Sequence, residues 1–143
     1  MMFNRLRQAL VIVSITVISA CASGPQATLY DQLGGKQGIE QITARFIAQL
    51  ADSPEVSSYF QATNLERFYE MFGAHLCAVA DGPCTYTGDT MERTHDGMNI
   101  TETHFNMTVD LLIEAMNQEA IPHRVQNKLL ARLAPLRSQV IKR

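Results

Sequence analysis

Of the four histidines in this 143-residue chain, His95 has the setting that metal chemistry exploits most readily. It stands between two glycine-bounded turns, in a run from Gly82 to Phe105 that reads Gly-Pro-Cys-Thr-Tyr-Thr-Gly-Asp-Thr-Met-Glu-Arg-Thr-His-Asp-Gly-Met-Asn-Ile-Thr-Glu-Thr-His-Phe. Asp89 with Glu92 three residues later is a capping-box signature, which predicts a short helix over 89–94. Asp96-Gly97 then supplies the left-handed stop. A histidine on the last turn of such a helix can present one ring nitrogen to a metal, a haem iron among them. A partly charged imidazole stabilised by the helix dipole is the alternative role.

The N-terminus reads as an export signal. Arg5 and Arg7 precede an apolar run from Ala9 to Ile18, which ends in Ile18-Ser19-Ala20-Cys21. That run is shorter than the roughly 20 residues a spanning helix needs, which favours a cleaved signal over a permanent transmembrane helix. The segment resembles the signal of bacterial lipoproteins. The resemblance implies that residues 1–20 are removed, that Cys21 carries acyl chains, and that 21–27 form a short tether. Ala22 after the cysteine implies the outer membrane, facing the periplasm. Loss of Arg5 and Arg7 takes the formal charge from −2 to −4, so the acyl chains, not a basic surface, would hold the membrane.

Export also governs the remaining cysteines. Cys77 and Cys84 form an even pair in an oxidising compartment, for which a disulfide is the natural reading. A zinc site built from His75, Cys77, Cys84 and His95 is the alternative, although the spacing lacks the close pairs usual in structural zinc. With 46% apolar and 18% charged residues, the chain has the composition of one globular domain and no nucleic-acid footprint.

The elements that must position His95 are helical. Ile39, Ile42, Phe46 and Leu50 recur at steps of three and four, predicting a helix over 36–51 after the Leu33-Gly34-Gly35 break. Ser53 and Pro54 start a short turn that runs to Phe60. From Asn64, the positions Leu65, Phe68, Phe72, Leu76 and Val79 form a second apolar stripe, stopped at Asp81-Gly82-Pro83. Thr101 begins a third helix with Phe105, Val109, Leu112 and Met116 inward. Pro122 opens the last, with Val125, Leu129, Leu133, Leu136 and Val140, and Pro135 should bend it near its end. The pattern contains no convincing strand, so the class is all-α.

Four landmarks in register carry a wider resemblance: Leu29-Tyr30-Asp31-Gln32-Leu33-Gly34-Gly35, Tyr59-Phe60 with Thr63-Asn64, the Gly82 to Gly88 turn, and Met91 to His95 followed by Ile100-Thr101 and His104-Phe105. Over 28–143 the chain resembles the group I truncated haemoglobins, which implies a two-over-two helical sandwich holding haem b. It further implies His95 as the proximal iron ligand. The haem wall would comprise Phe60, Leu65, Phe68, Phe72, Leu76, Met91, Ile100, Phe105 and Leu133, with Tyr86 and Arg67 as candidates for the propionates. No Cys-x-x-Cys-His is present, so the haem would be held non-covalently. His104 reads as a satisfied residue behind the wall and His123 as solvated.

The departure lies on the distal side. Where these relatives place a tyrosine after the phenylalanine of the first long helix, this chain has Ile47, and Phe68 and Phe72 stand where glutamine is frequent. The gas pocket therefore reads as apolar, lined by Ile47, Phe60, Phe68, Phe72 and Leu76. Met71 and His75 are placed to reach the sixth coordination position. The resemblance implies binding of oxygen, nitric oxide or carbon monoxide, with conversion of nitric oxide to nitrate as a further activity. Two alternatives are a six-coordinate electron-transfer protein served by a periplasmic reductase and a cofactor-free structural lipoprotein.

Overall fold

The computed structural model describes residues 26–142. The signal expected at 1–20 and the acylation expected at Cys21 lie outside the described residues. Thr28 caps the first helix, α1 (Leu29–Gln32), with a reciprocal capping box to Asp31. The long α2 (Gly35–Asp52) follows, then α3 (Pro54–Ser57) and a 3-10 turn Ser58–Phe60, α4 (Leu65–Val79), α5 (Met91–Thr94), α6 (Glu102–Gln118) and α7 (His123–Leu133). No strand occurs among the described residues.

The periodicity of α2 explains its central place. Ile39, Ile42, Phe46 and Leu50 are buried along one face, and α2 packs on α6 on one side and on α4 on the other. Leu112, Ala115 and Met116 of α6, Leu76 and Cys77 of α4, and Val125 and Leu129 of α7 complete one core. With α7 resting on α1 and α4, the helices form the two-over-two sandwich. A Cβ at Gly38 would run into the Leu33 carbonyl, so glycine there is what lets α2 start so close to the end of α1.

Several local expectations need correction. Ser53 occupies the N-cap position of α3 and Pro54 its first turn, but the serine hydroxyl bonds Glu55 and makes no cap bond. Asn64 does cap α4, its side-chain oxygen accepting from the Arg67 amide at 3.0 Å. Leu65, placed by its spacing on the buried stripe and in the haem wall, is 54% exposed. It sits on the first turn of α4, at the rim of an open cavity of about 240 Å³ between the end of α2, Ser57 to Gln61 and Phe68. Among the described residues no element covers that rim, so periodicity alone does not bury it. At the C-terminus α7 stops at Leu133 and tightens into a 3-10 stretch over Ala134–Gln139, because Pro135 has no amide to continue the ladder.

Cys77 and Cys84 are joined in a disulfide with a Cα separation of 5.9 Å. It ties the buried end of α4 to the exposed loop leading to α5. Both sulfurs are thereby used, and no group of three metal-ligating side chains occurs among the described residues, which removes the zinc alternative for this site. None of the described helices is long and apolar enough to cross a membrane.

Cross-linking two positions seven residues apart removes freedom mainly from the unfolded chain. Cys84→Ser is therefore expected to lower unfolding free energy by about 2 kcal/mol, read as a lower urea midpoint at unchanged slope. An unchanged midpoint would mean that the bond constrains nothing the fold does not already hold.

Candidate functional site

The helix that carries His95 starts one residue later than its capping-box signature suggests. Thr90, not Asp89, is the N-cap of α5, its hydroxyl accepting from the Arg93 amide at 3.3 Å. Asp89 instead pairs with the Arg93 guanidinium at 3.4 Å on the surface. Both threonine and aspartate can cap, and the chain enters the helix with Thr90 in the extended conformation that the cap requires. His95 is the C-cap, its amide donating to the Met91 carbonyl at 3.1 Å. Gly97, at φ +76, turns the chain away immediately afterwards.

The imidazole of His95 makes the decisive contact of the site. Its Nδ1 lies 2.7 Å from the Met91 carbonyl oxygen. A carbonyl can only accept, so Nδ1 carries the proton, and in the neutral ring Nε2 keeps its lone pair. One half-buried imidazole is thus oriented by its own helix, with Nε2 left as the nitrogen that carries the lone pair.

Opposite stands α4. Its half-buried aromatic side chains form a continuous chain of rings. Phe72 stacks on Phe46 at 4.8 Å, Phe68 lies 5.6 Å from Phe72, and Phe60 lies 5.2 Å from Phe68. Leu76 is fully buried behind them and Ile47 is half-buried on α2. Met71 and His75 are half-buried one turn apart. Burial, and secondarily the neighbouring His95, push the His75 pKa below 6.5, so that ring is neutral at pH 7. His75 lies on α4 and His95 at the end of α5, close enough for the charge of one to act on the other.

Tyr86, a candidate for a propionate, is held within the loop before α5. Its hydroxyl donates to the Asp89 carbonyl at 2.8 Å and its ring meets the His75 ring edge-on at 5.2 Å. Burial first, then Asp89, raises the phenol above 10, so it stays a donor whose single proton is already committed. Tyr86 braces the approach to α5. Arg67 is exposed on α4, close enough for its charge to act on that phenol.

The remaining wall residues come from the other layer. Ile100 is buried, and Met91, Phe105 and Leu133 are half-buried. The Arg137 guanidinium covers the Phe105 ring at 5.6 Å and pairs with Glu102 at 3.4 Å. His104 bonds the Tyr59 hydroxyl through Nδ1 at 2.8 Å, and His123 is exposed. Tyr59 and Arg137 were not singled out as partners by sequence reasoning. Arg137 lies in the 3-10 stretch after α7 and Tyr59 and His104 are 45 residues apart, so nothing local announces either contact. One anchored imidazole before aromatic and aliphatic walls is a donor set that suits porphyrin iron and not a hard, oxygen-liganded cation.

Comparison with known proteins agrees with this architecture. A sequence-family model described as bacterial-like globin matches residues 28–142. The group 1 truncated haemoglobin GlbN of Mycolicibacterium paratuberculosis is 28% identical over 114 residues, covering 80% of this chain and 84% of that protein. The namesake from Nostoc sp. is 27% identical over 115 residues, covering 80% and 98%. In fold, the chain superposes on the Tetrahymena pyriformis truncated haemoglobin in its Fe(III) form with a TM-score of 0.79 at 21% identity, covering 82% of this chain and 100% of that one. A core built around α2, a single imidazole presented by a four-residue helix, and a family match over nearly all the described residues lead to one assignment: the chain belongs to the bacterial-like globins, among relatives of the truncated haemoglobin type.

Proposed function

We propose that the chain is a haem protein that reversibly binds diatomic gases, with His95 as the proximal iron ligand through Nε2. The observation that carries this reading is the 2.7 Å contact from His95 Nδ1 to the Met91 carbonyl. It fixes the tautomer and ring orientation and, by drawing on the Nδ1 proton, makes Nε2 a better electron donor. When bound, the cofactor supplies an iron centre that takes dioxygen, nitric oxide or carbon monoxide.

The chain's own residues do the rest. Phe60, Phe68, Phe72, Leu76, Ile100, Phe105 and Leu133 provide apolar walls that accept a porphyrin and exclude water. Ile47 brings no hydrogen bond to the distal side. Dioxygen, which acquires partial negative charge, gains from a donor far more than carbon monoxide does, so the pocket holds oxygen less firmly than one with a tyrosine there. This weighs towards reversible gas binding over nitric oxide turnover to nitrate, which needs long oxygen retention. A lipid anchor at Cys21 would place the domain at the outer membrane, facing the periplasm.

A second reading rests on His75. It is half-buried, neutral at pH 7 and electrostatically coupled to His95, which are the properties of a sixth ligand. Six-coordination through His75 or Met71 would suit electron transfer with a periplasmic reductase. A five-coordinate high-spin ferrous spectrum supports gas binding as the resting state, and a low-spin one supports this second reading.

Two outcomes test the proposal. His95→Gly is expected to lose the Soret band and stoichiometric haem uptake and to recover both on addition of free imidazole. Full retention of pigment by the variant without imidazole would end the assignment. Ile47→Tyr is expected to slow oxygen release by about tenfold, the kinetic equivalent of one added hydrogen bond, while carbon monoxide release stays nearly unchanged in stopped-flow traces.

A further inference from the structure

Two rings meet between α4 and the loop that leads to α5. The half-buried His75 imidazole faces the Tyr86 ring edge-on, with the centroids 5.2 Å apart. The level at which they meet is set covalently: Cys77 stands two residues after His75, Cys84 two residues before Tyr86, and the two cysteines are bonded. The disulfide therefore brings the loop to α4 beside the imidazole.

The phenol ring is braced by its own loop. Its hydroxyl donates to the Asp89 carbonyl at 2.8 Å, which folds the ring back over Gly88. A Cβ at Gly88 would run into both the ring and the hydroxyl, and the backbone there is not left-handed. Glycine is needed at this position for room, not for conformation. His75 has no comparable support, for no hydrogen bond engages its ring among the described residues. The tyrosine edge is its directional contact.

We propose that Tyr86 is a positioning residue that holds the His75 imidazole against the loop before α5 and so keeps the sixth coordination position of haem iron open to gases. The inference rests on the gas-binding reading above and deepens it. His75 is a side chain on which the six-coordinate alternative depends, and to ligate iron its ring has to leave the tyrosine edge. An aromatic pair in this arrangement shifts such an equilibrium by about fivefold. That is enough to decide between two coordination states of similar energy.

The test reads the ratio of low-spin six-coordinate to high-spin five-coordinate ferrous haem in the haem-loaded full chain, from its visible spectrum. Tyr86→Ala is expected to raise that ratio about fivefold and to slow carbon monoxide association, because the imidazole must first leave the iron. Gly88→Ala, which removes no contact of His75 but displaces the phenol ring, should move both readouts the same way, and it decides the matter if Tyr86→Ala does not fold. Tyr86→Phe, which keeps the ring, should stay close to wild type. Adding His75→Ala to Tyr86→Ala should restore the five-coordinate spectrum. An unchanged ratio in fully haem-loaded Gly88→Ala and Tyr86→Ala would overturn the role of Tyr86 alone, as would a low-spin form that survives the loss of His75. So would a wild-type chain already ligated by His75. A wild-type chain that takes up no haem would instead sink the gas-binding reading, and this inference with it.

Discussion

The hydrogen bond from His95 Nδ1 to the Met91 carbonyl is the constraint around which the rest of the structure is arranged. It needs a helix short enough that its C-cap faces the α4 wall, and α5 has only four residues. It needs that helix to begin and end sharply, which Thr90 and Gly97 ensure. It also needs the loop before α5 to be held. Tyr86 does this from one side through the Asp89 carbonyl, and the Cys77–Cys84 bond does it from the other by tying the loop back to α4. A single imidazole is aimed by four separate local devices.

The opposing wall follows a different logic, in which hydrophobic burial decides the architecture. Through Phe46 and Leu50, α2 serves both the core and the aromatic chain that lines the cleft. Much of the cleft's apolar surface is half-buried rather than closed, as at Phe60, Phe68, Phe72 and Phe105. Side chains of this kind gain further burial only by closing on an apolar group. A porphyrin fits that need, and its binding to the native state alone would add directly to stability. Fold stability and cofactor retention are then linked through the same residues.

Polar groups around the cleft are few, and their partners divide them by role. Tyr59 and His104 satisfy one another, Tyr86 satisfies a loop carbonyl, and Arg137 is shared between Glu102 and the Phe105 ring. These hold the two layers and the entry loop together. His75 stays neutral and Thr43 stays unpaired.

Much of this was legible from the linear chain. The three-and-four spacing of Ile39, Ile42, Phe46 and Leu50 reports helix and buried face together, because burial on one side of a 3.6-residue period leaves that trace. Glycine and proline marked the breaks, and His95 stood out by its position between two of them. The same local signals misplace whatever depends on neighbours distant in sequence. Leu65 keeps the period of the stripe yet overhangs an open cavity, since exposure depends on whether another element covers the rim. Asp89 and Thr90 are both competent caps, and the path of the incoming loop selected between them. The Tyr59–His104 bond, the guanidinium over Phe105 and the orphaned hydroxyl of Thr43 exist only because helices cross at particular places. Periodicity encodes which side of a helix avoids water; only the packed structure decides what that side meets.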